Sequence, residues 1–447
     1  MSIEAIFKAY DVRGKVGTEL TTEVVELTGQ AFGHWLPEYG AVAVGRDMRP
    51  DSAELAAALI KGLQLQGRDV IDIGQVTSDM IYFAVGTLNL AGGAMVTASH
   101  NPGEYNGIKL CREEAKPVGE ESGLFEIRDV VLGQALAPAS EPGKVEQKDL
   151  TEAWIAHVLS FIDVTKLNPI KIAVDAGNGM AGKIFPELEP YVPWDVTELY
   201  FELDGTFPNH IANPLEPKNL VDVQKAVREG GLDAGIAFDG DGDRAVLIDE
   251  TGEPLSGTVL TALLSQFFLY TNPNATVLLN AICGQAAVDA VKEAGGTPMR
   301  TRVGHSFIKA DMRKYKAIFA GEHSGHYYFK DNFMADSGLI AAVIGLYVHA
   351  ISCKKLSEIA QPFREAYVQI PETNFEVNDK AAVIKKIESE FSETSTEHLD
   401  GLTVYFEGGW FNVRPSNTES LLRLNAEAKD KIQLELIVSK VSALVQA

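Results

Sequence analysis

Short apolar runs, each closed by glycine or small polar residues and followed by an amphipathic stretch, recur along most of this 447-residue chain. Ala41-Val-Ala-Val44 reads as a strand, Ser52 to Gln66 carries apolar positions at helical spacing, and Asp69 to Ile73 returns to a strand. The same alternation comes back at Ile170 to Asp175, which enters the glycine-rich Ala176 to Gly182 and then a helix. It comes back again at Thr276 to Leu279, followed by a helix from about Gln285 to Ala294. Ala91 to Val96, Ala234 to Phe238, Ala245 to Asp249 and Ala317 to Ala320 are further apolar runs of strand length. Strand, turn, helix at this spacing predicts three similar α/β units with function at the turns. Around Gln361-Pro362 to Pro371 the composition shifts, and a charged, glycine-poor remainder predicts a fourth, α+β domain. The expected bounds are 1–149, 150–252, 253–366 and 367–447. The longest apolar run, Ser337 to Ile351, is interrupted by Gly345 and His349 and is too short to span a bilayer, so it predicts a buried helix.

Composition narrows the function. An apolar fraction of 46% supports a large core, and a formal charge of −23 excludes nucleic acid and anionic membrane as expected partners. An acidic protein that binds a phosphorylated ligand must gather its basic residues locally. Arg13, Lys109, Arg244, Arg302, Lys309 and Arg414 are expected in polar, glycine-containing loops for that purpose. Cys111, Cys283 and Cys353 are too few and too far apart for a disulfide framework, and the first residues lack a signal-peptide pattern. The expectation is a cytoplasmic enzyme.

Two segments carry the chemistry. Asp239-Gly-Asp-Gly-Asp243 places carboxylates at every second position, so in an extended segment they face one side, and three such charges repel unless a cation neutralises them. An EF-hand is the competing pattern, with Glu250 at its twelfth position. It fails because Arg244 stands where the sharp-turn glycine belongs and because the flanks read as strands. Ser99, in Thr97-Ala-Ser-His-Asn-Pro102, follows an apolar strand and is either a phosphoryl carrier or a turn cap. Gly321-Glu-His-Ser-Gly-His326 offers a carboxylate, a hydroxyl and an imidazole to sugar hydroxyls, or is a polar turn. Arg414-Pro-Ser-Asn-Thr418 suits a phosphate, or is a capped turn with a surface ion pair.

These motifs, with Ala9-Tyr-Asp-Val-Arg-Gly14, stand in the order seen in the α-D-phosphohexomutases, and the chain resembles the bacterial phosphomannomutase/phosphoglucomutase branch over essentially its whole length. The resemblance implies three topologically similar α/β domains and a smaller C-terminal α+β (TATA-binding-protein-like) domain around a central cleft. It implies a phosphoserine at Ser99, with Mg²⁺ held by Asp239, Asp241, Asp243 and the seryl oxygen. Arg13 and Arg244 would steady the phosphoryl group, and Lys109 and His305 would do the acid/base work. Tyr10, Glu322, Ser324 and His326 would contact the sugar, while Arg414, Ser416, Asn417 and Thr418 would hold the phosphate that is not being transferred. The implied reaction interconverts hexose 1- and 6-phosphates through a hexose 1,6-bisphosphate that turns end over end, in a monomer or homodimer.

The chain departs from its relatives at Ser420, where many have proline. It departs again at Ala281-Ile-Cys-Gly284, where some mannose/glucose enzymes have a lysine. Asn417 argues against the glucosamine branch, which often has glycine there, and the Ser-Gly-His of the sugar loop argues against glucose-only enzymes. A phosphohexose-binding regulator without turnover would not need Ser99. A metal-dependent phosphatase would use an aspartyl nucleophile or a metal-bound water, and would need no bisphosphate activator. Phosphoglucosamine mutase is the alternative within the family.

Overall fold

The computed structural model describes residues 3–37, 40–133, 136–415 and 421–446. They form two compact units, Met1–Leu255 with Ser324–Ser357, and Ser256–His323 with Glu358–Ala447.

The first unit contains two sheets. One runs in the order Val12–Lys15, Tyr105–Arg112, Gly92–Val96, Val42–Arg46, Val70–Gln75, Val145–Gln147, with Lys116–Pro117 beside Tyr105–Arg112. Its centre is parallel, while Tyr105–Arg112 is antiparallel to both of its long neighbours. Val42, Ala43 and Val44 are fully buried, and cover on both faces explains why this strand reads as an unbroken apolar run. The strand extends past that run because its pairing with Gly92–Val96 persists to Arg46 opposite Val96. Helices Thr22–Trp35 and Ser52–Leu65 cover the sheet through Val25, Phe32, Leu59 and Leu63. Burying a side chain such as Leu59 contributes about 1.5–3 kcal/mol.

The second sheet runs Ala245–Asp249, Ala234–Phe238, Ile170–Asp175, Trp194–Leu199. Ala234–Phe238 and Ala245–Asp249 are antiparallel, with Phe238 opposite Ala245, so the Asp triplet closes a hairpin and no EF-hand is present. The short hairpin Tyr327–Phe329 with Ala335–Asp336 leads into the buried helix Gly338–Ser352, whose first turn is capped by the Ser337 hydroxyl. No single helix among the described residues is long and apolar enough to cross a membrane.

The second unit contains the parallel strands Thr297–Thr301, Thr276–Asn280 and Phe319–Gly321, with helices Gly257–Thr271, Gln285–Glu293 and His305–Tyr315. It also contains an antiparallel sheet in the order Val368–Gln369, Leu421–Ala428, Gly409–Pro415, Leu402–Phe406, Ser395–Glu397, with Thr373–Glu376 also paired to Leu421–Ala428. Helices Lys380–Glu390 and Lys431–Gln446 pack on it around Ile387, Phe411, Leu422 and Val441. This is the expected α/β architecture with a C-terminal α+β part. Gln361-Pro362, where the composition shifts, lies inside the helix Leu356–Ala366. Pro362 removes one backbone donor without ending that helix, which runs on to Ala366.

Candidate active site

Ser99 sits in the loop after Gly92–Val96, and the Asp triplet sits in the hairpin turn of the neighbouring sheet. The two are in direct contact. Ser99 Oγ donates to Asp239 Oδ2 at 2.7 Å, and a Cβ on Gly240 would collide with the Ser99 carbonyl oxygen. Glycine at 240 is therefore required by close approach, and glycine at 242 by its φ of +76°.

Carboxylate oxygens of Asp239, Asp241 and Asp243 lie within 4.8 Å of one another, and all three residues are buried. Burial opposes ionisation at each of them. At Asp239 it prevails over the neighbouring Arg244 guanidinium and pushes the carboxyl up to about 7. At Asp241 and Asp243 the Lys109 ammonium overrides it and holds both below the usual carboxylate range. Lys109 Nζ donates to Oδ2 of Asp241 and of Asp243, each at 2.6 Å. Burial favours the neutral amine of Lys109, but this double pairing wins and raises its pKa.

Oδ1 of Asp241 is buried and receives no hydrogen bond, and the buried Oδ1 of Asp243 has His326 Nε2 at 3.5 Å. Converging oxygen atoms with unfilled acceptor capacity fit a hard divalent cation such as Mg²⁺. Asp241 is anchored from the first sheet's side, where Ser78 donates its backbone N–H to Asp241 C=O at 3.0 Å and its hydroxyl to Oδ2 at 2.5 Å.

Cationic groups surround the serine. Arg244 Nε donates to Asp239 Oδ2 at 2.9 Å and its Nη2 reaches Ser99 Oγ at 3.4 Å and His100 Nδ1. Burial, then the charges of Arg244 and Arg13, hold His100 well below the usual imidazole range, so it is neutral at neutral pH. Arg13 pairs with Asp11 and donates to Asn101 Oδ1 at 2.6 Å in the Ser99 loop. Ser324 Oγ lies 3.0 Å from His326 Nδ1, and His326 Nε2 lies 3.5 Å from Asp243 Oδ1. Tyr10 is half-buried in a bend ahead of Val12–Lys15.

His305, Glu322 and Arg414 belong to the second unit. His305 begins the helix His305–Tyr315, and the buried Glu322 accepts from Asn280 Nδ2 at 3.1 Å. Arg414 Nη2 pairs with Glu372 Oε2 at 3.0 Å, and Arg423 Nη1, on the adjacent strand, pairs with Oε1 at 3.2 Å. Burial opposes ionisation of Glu372, but the Arg414 and Arg423 guanidinia and Asn425 more than compensate and lower its pKa. Two guanidinia on one carboxylate leave a net positive charge on the strands that carry Arg414 and Arg423. Ser416, Asn417 and Thr418 lie outside the described residues.

The expectation that the basic residues occupy loops is corrected. Arg13, Lys109 and Arg414 lie on strands and Lys309 lies inside the helix His305–Tyr315, whereas Arg302 is in a connecting segment. A strand aims a side chain from one face while its backbone is fixed by ladder hydrogen bonds, which orders a long cation better than a loop does. Sequence reading also missed Ser78, Glu372, Arg423 and the pair Asp47 and Arg49. The last two form a charged i, i+2 doublet directly after an apolar strand, and that is the one local signal that marked any of them.

Known proteins match the chain along its length. Family models of the phosphoglucomutase/phosphomannomutase α/β/α domains I, II and III match residues 4–134, 152–252 and 256–367, and that of the C-terminal domain matches 372–444. The chain is 40% identical over 445 residues to "Phosphohexose mutases" of Xanthomonas campestris pv. campestris, covering 98% of this chain and 99% of that protein. It is 38% identical over 437 residues to a phosphomannomutase of Escherichia coli, covering 96% of each. A solved phosphoglucomutase/phosphomannomutase family protein from Burkholderia thailandensis superposes with a TM-score of 0.92 at 31% identity, over 100% of this chain and 98% of that one. With all four domain models matched in order along one chain, the protein belongs to the phosphoglucomutase/phosphomannomutase family.

Proposed function

We propose that this phosphohexomutase interconverts the 1- and 6-phosphates of mannose and of glucose, with Ser99 as phosphoryl carrier and a hexose 1,6-bisphosphate as intermediate and activator. The observation that carries the reading is the Ser99 hydroxyl donating to Asp239 among three buried carboxylates, with Arg244 beside it. Asp239, Asp241, Asp243 and the seryl oxygen would hold Mg²⁺, which when bound supplies charge neutralisation for the transferring group.

The protein's own groups do the rest. Arg244 and Arg13 stabilise charge on the phosphoryl oxygens as the bond to Ser99 Oγ breaks and the bond to a substrate hydroxyl forms. His305 is the proposed acceptor of that hydroxyl's proton. Lys109, kept protonated by Asp241 and Asp243, is suited to balancing charge rather than to accepting a proton. After the bisphosphate has turned, its other phosphate returns to Ser99. Tyr10, Glu322, Ser324 and His326 are proposed sugar contacts. Arg414 with Ser416, Asn417 and Thr418 is the proposed holder of the phosphate that is not being transferred. Glu322 accepting from hydroxyls near the middle of the sugar, and Ser324 hydrogen-bonded beside it, would serve both orientations and leave C2 nearly unread. A monomer or homodimer is proposed from the family resemblance, and a cytoplasmic location from the composition.

Incubation with α-D-glucose 1,6-bisphosphate followed by intact-mass and peptide analysis should place one phosphate on Ser99. Ser99→Ala should lose about 10³-fold or more in kcat, as removal of a nucleophile typically does. A phosphate found only on another residue refutes the assignment.

A further inference from the structure

Ser99 stands at φ +49°, in the left-handed region that residues with a Cβ enter at a cost. Both of its backbone polar groups are tied to a single buried ion pair. Its N–H donates to Thr97 Oγ1 at 2.9 Å, and that hydroxyl donates to Asp47 Oδ2 at 2.7 Å. Its C=O accepts from Arg49 Nη2 at 2.8 Å. The same guanidinium collects the rest of the loop, with Nη2 donating to Asn101 C=O at 2.6 Å and Nη1 to the carbonyls of Pro102 and Tyr105 at 2.9 and 2.8 Å. Arg49 Nε faces Asp47 Oδ2 at 3.2 Å, and both side chains are 0% exposed. Phe207 covers the guanidinium, its ring centroid 5.2 Å away, and Asp47 is itself held by the backbone N–H of Arg49 and the Ser52 hydroxyl.

A fully buried ion pair is a weak source of stability, because dehydrating both charges offsets most of their attraction. What this one supplies is geometry. Three carbonyls of the serine loop and that of Tyr105, at the start of the next strand, converge on one planar fork of donors, and a lysine could offer only three donors from a single point. Ser99 Oγ itself meets Asp239, His100 and Arg244, so Asp47 and Arg49 act on the serine through its backbone.

We infer that Asp47 and Arg49 are positioning residues for phosphoryl transfer: together they hold Ser99 in the left-handed conformation from which its hydroxyl meets Asp239. The inference rests on Ser99 being the phosphoryl carrier. A displacement of about 1 Å at a reacting atom costs on the order of 10²-fold in rate, while substrate binding depends on other residues.

The test uses full-length Arg49→Lys, Arg49→Met and Asp47→Asn, with Val223→Ala, a truncation in the core of the second sheet, as a stability control. Phosphate uptake at Ser99 from α-D-glucose 1,6-bisphosphate is timed by intact mass, and kcat and KM are measured with glucose 1-phosphate. The ³¹P resonance of the phosphoserine is recorded for each protein that folds. Arg49→Met and Asp47→Asn should lose about 10²-fold in uptake rate and kcat with KM within about threefold, Arg49→Lys should recover part of the loss, and the resonance should shift or broaden. Should Arg49→Met fail to fold, Arg49→Lys and Asp47→Asn carry the test. The inference is overturned if these variants keep kcat within about threefold of the wild type, or if kcat and KM change together as in Val223→Ala. Wild-type protein that takes up no phosphate at Ser99 overturns the carrier assignment and this inference with it.

Discussion

Lys109→Met should make the protein less stable without metal and a better binder of Mg²⁺. The ammonium lies 2.6 Å from an oxygen of each of two buried carboxylates. With charge centres about 4 Å apart and an effective dielectric near 20, each pair is worth about 4 kcal/mol before the cost of dehydration. Removing one partner of a buried pair typically costs about 3–5 kcal/mol, because the remaining charges are left uncompensated. In chelator, Lys109→Met should therefore unfold with about 3–5 kcal/mol less stability in the first unit. A divalent cation competes with the ammonium for the same oxygens, so deleting the competitor should tighten Mg²⁺ binding at least about tenfold, or about 1.4 kcal/mol. Magnesium at about a hundred times its Kd then restores about 2.7 kcal/mol. Isothermal titration of the dephosphorylated proteins with Mg²⁺, and denaturant unfolding with and without chelator, measure both effects. Unchanged or weaker Mg²⁺ affinity in Lys109→Met would refute the competition, even though kcat falls in either case.

Asp241→Ala should abolish Mg²⁺-dependent turnover while circular dichroism stays native, and chelated wild-type enzyme that turns over normally would remove the metal role of this loop. Asp79 is fully buried between the hydroxyls of Thr77 and Ser337, and burial pushes it up to about 7. Its folded pKa exceeds its unfolded value, so the native state binds the extra proton and stability falls as pH rises from about 4 to about 7. Asp79→Asn should flatten that slope in denaturant titrations at pH 5 and pH 7.5, and an unchanged slope counts against Asp79 as its source. Mannose 1-phosphate and glucose 1-phosphate should be turned over within about fivefold of each other, since an axial or equatorial C2 hydroxyl is worth about 1 kcal/mol to a site that reads other positions. Glucosamine 1-phosphate should be far poorer, and its emergence as the best substrate would reverse the sugar assignment.

The α/β layers were legible because their central strands are covered on both faces. Ala234–Phe238 is buried at every position and reads as one apolar run, and the helix Ser52–Leu65 shows its buried stripe directly. The Asp triplet was legible because its three carboxylates stand at every second position within one five-residue segment. The residues that hold the site were not, since their partners are distant in sequence. Ser78 meets Asp241 across 163 positions, and Arg49 meets Ser99 across 50. Glu372 is one acidic residue among 62 Asp and Glu until folding sets it between Arg414 and Arg423. Lys109, flanked by Ile108 and Leu110, did carry a local mark, because a charge within a buried run must find a partner.

The absence of a side chain at residue 240 has a mechanical consequence. With the Ser99 carbonyl filling the space a Cβ would take, and Ser78 gripping Asp241 by main chain and side chain at once, the serine loop and the carboxylate hairpin form one anvil. Neither can slide past the other to follow a moving ligand. On the proposed mechanism, a sugar bisphosphate that presents first one end and then the other would do the turning itself and come back to an unmoved receiver. Even Gly240→Ala, a single added methyl, would split that anvil and penalise both half-reactions equally.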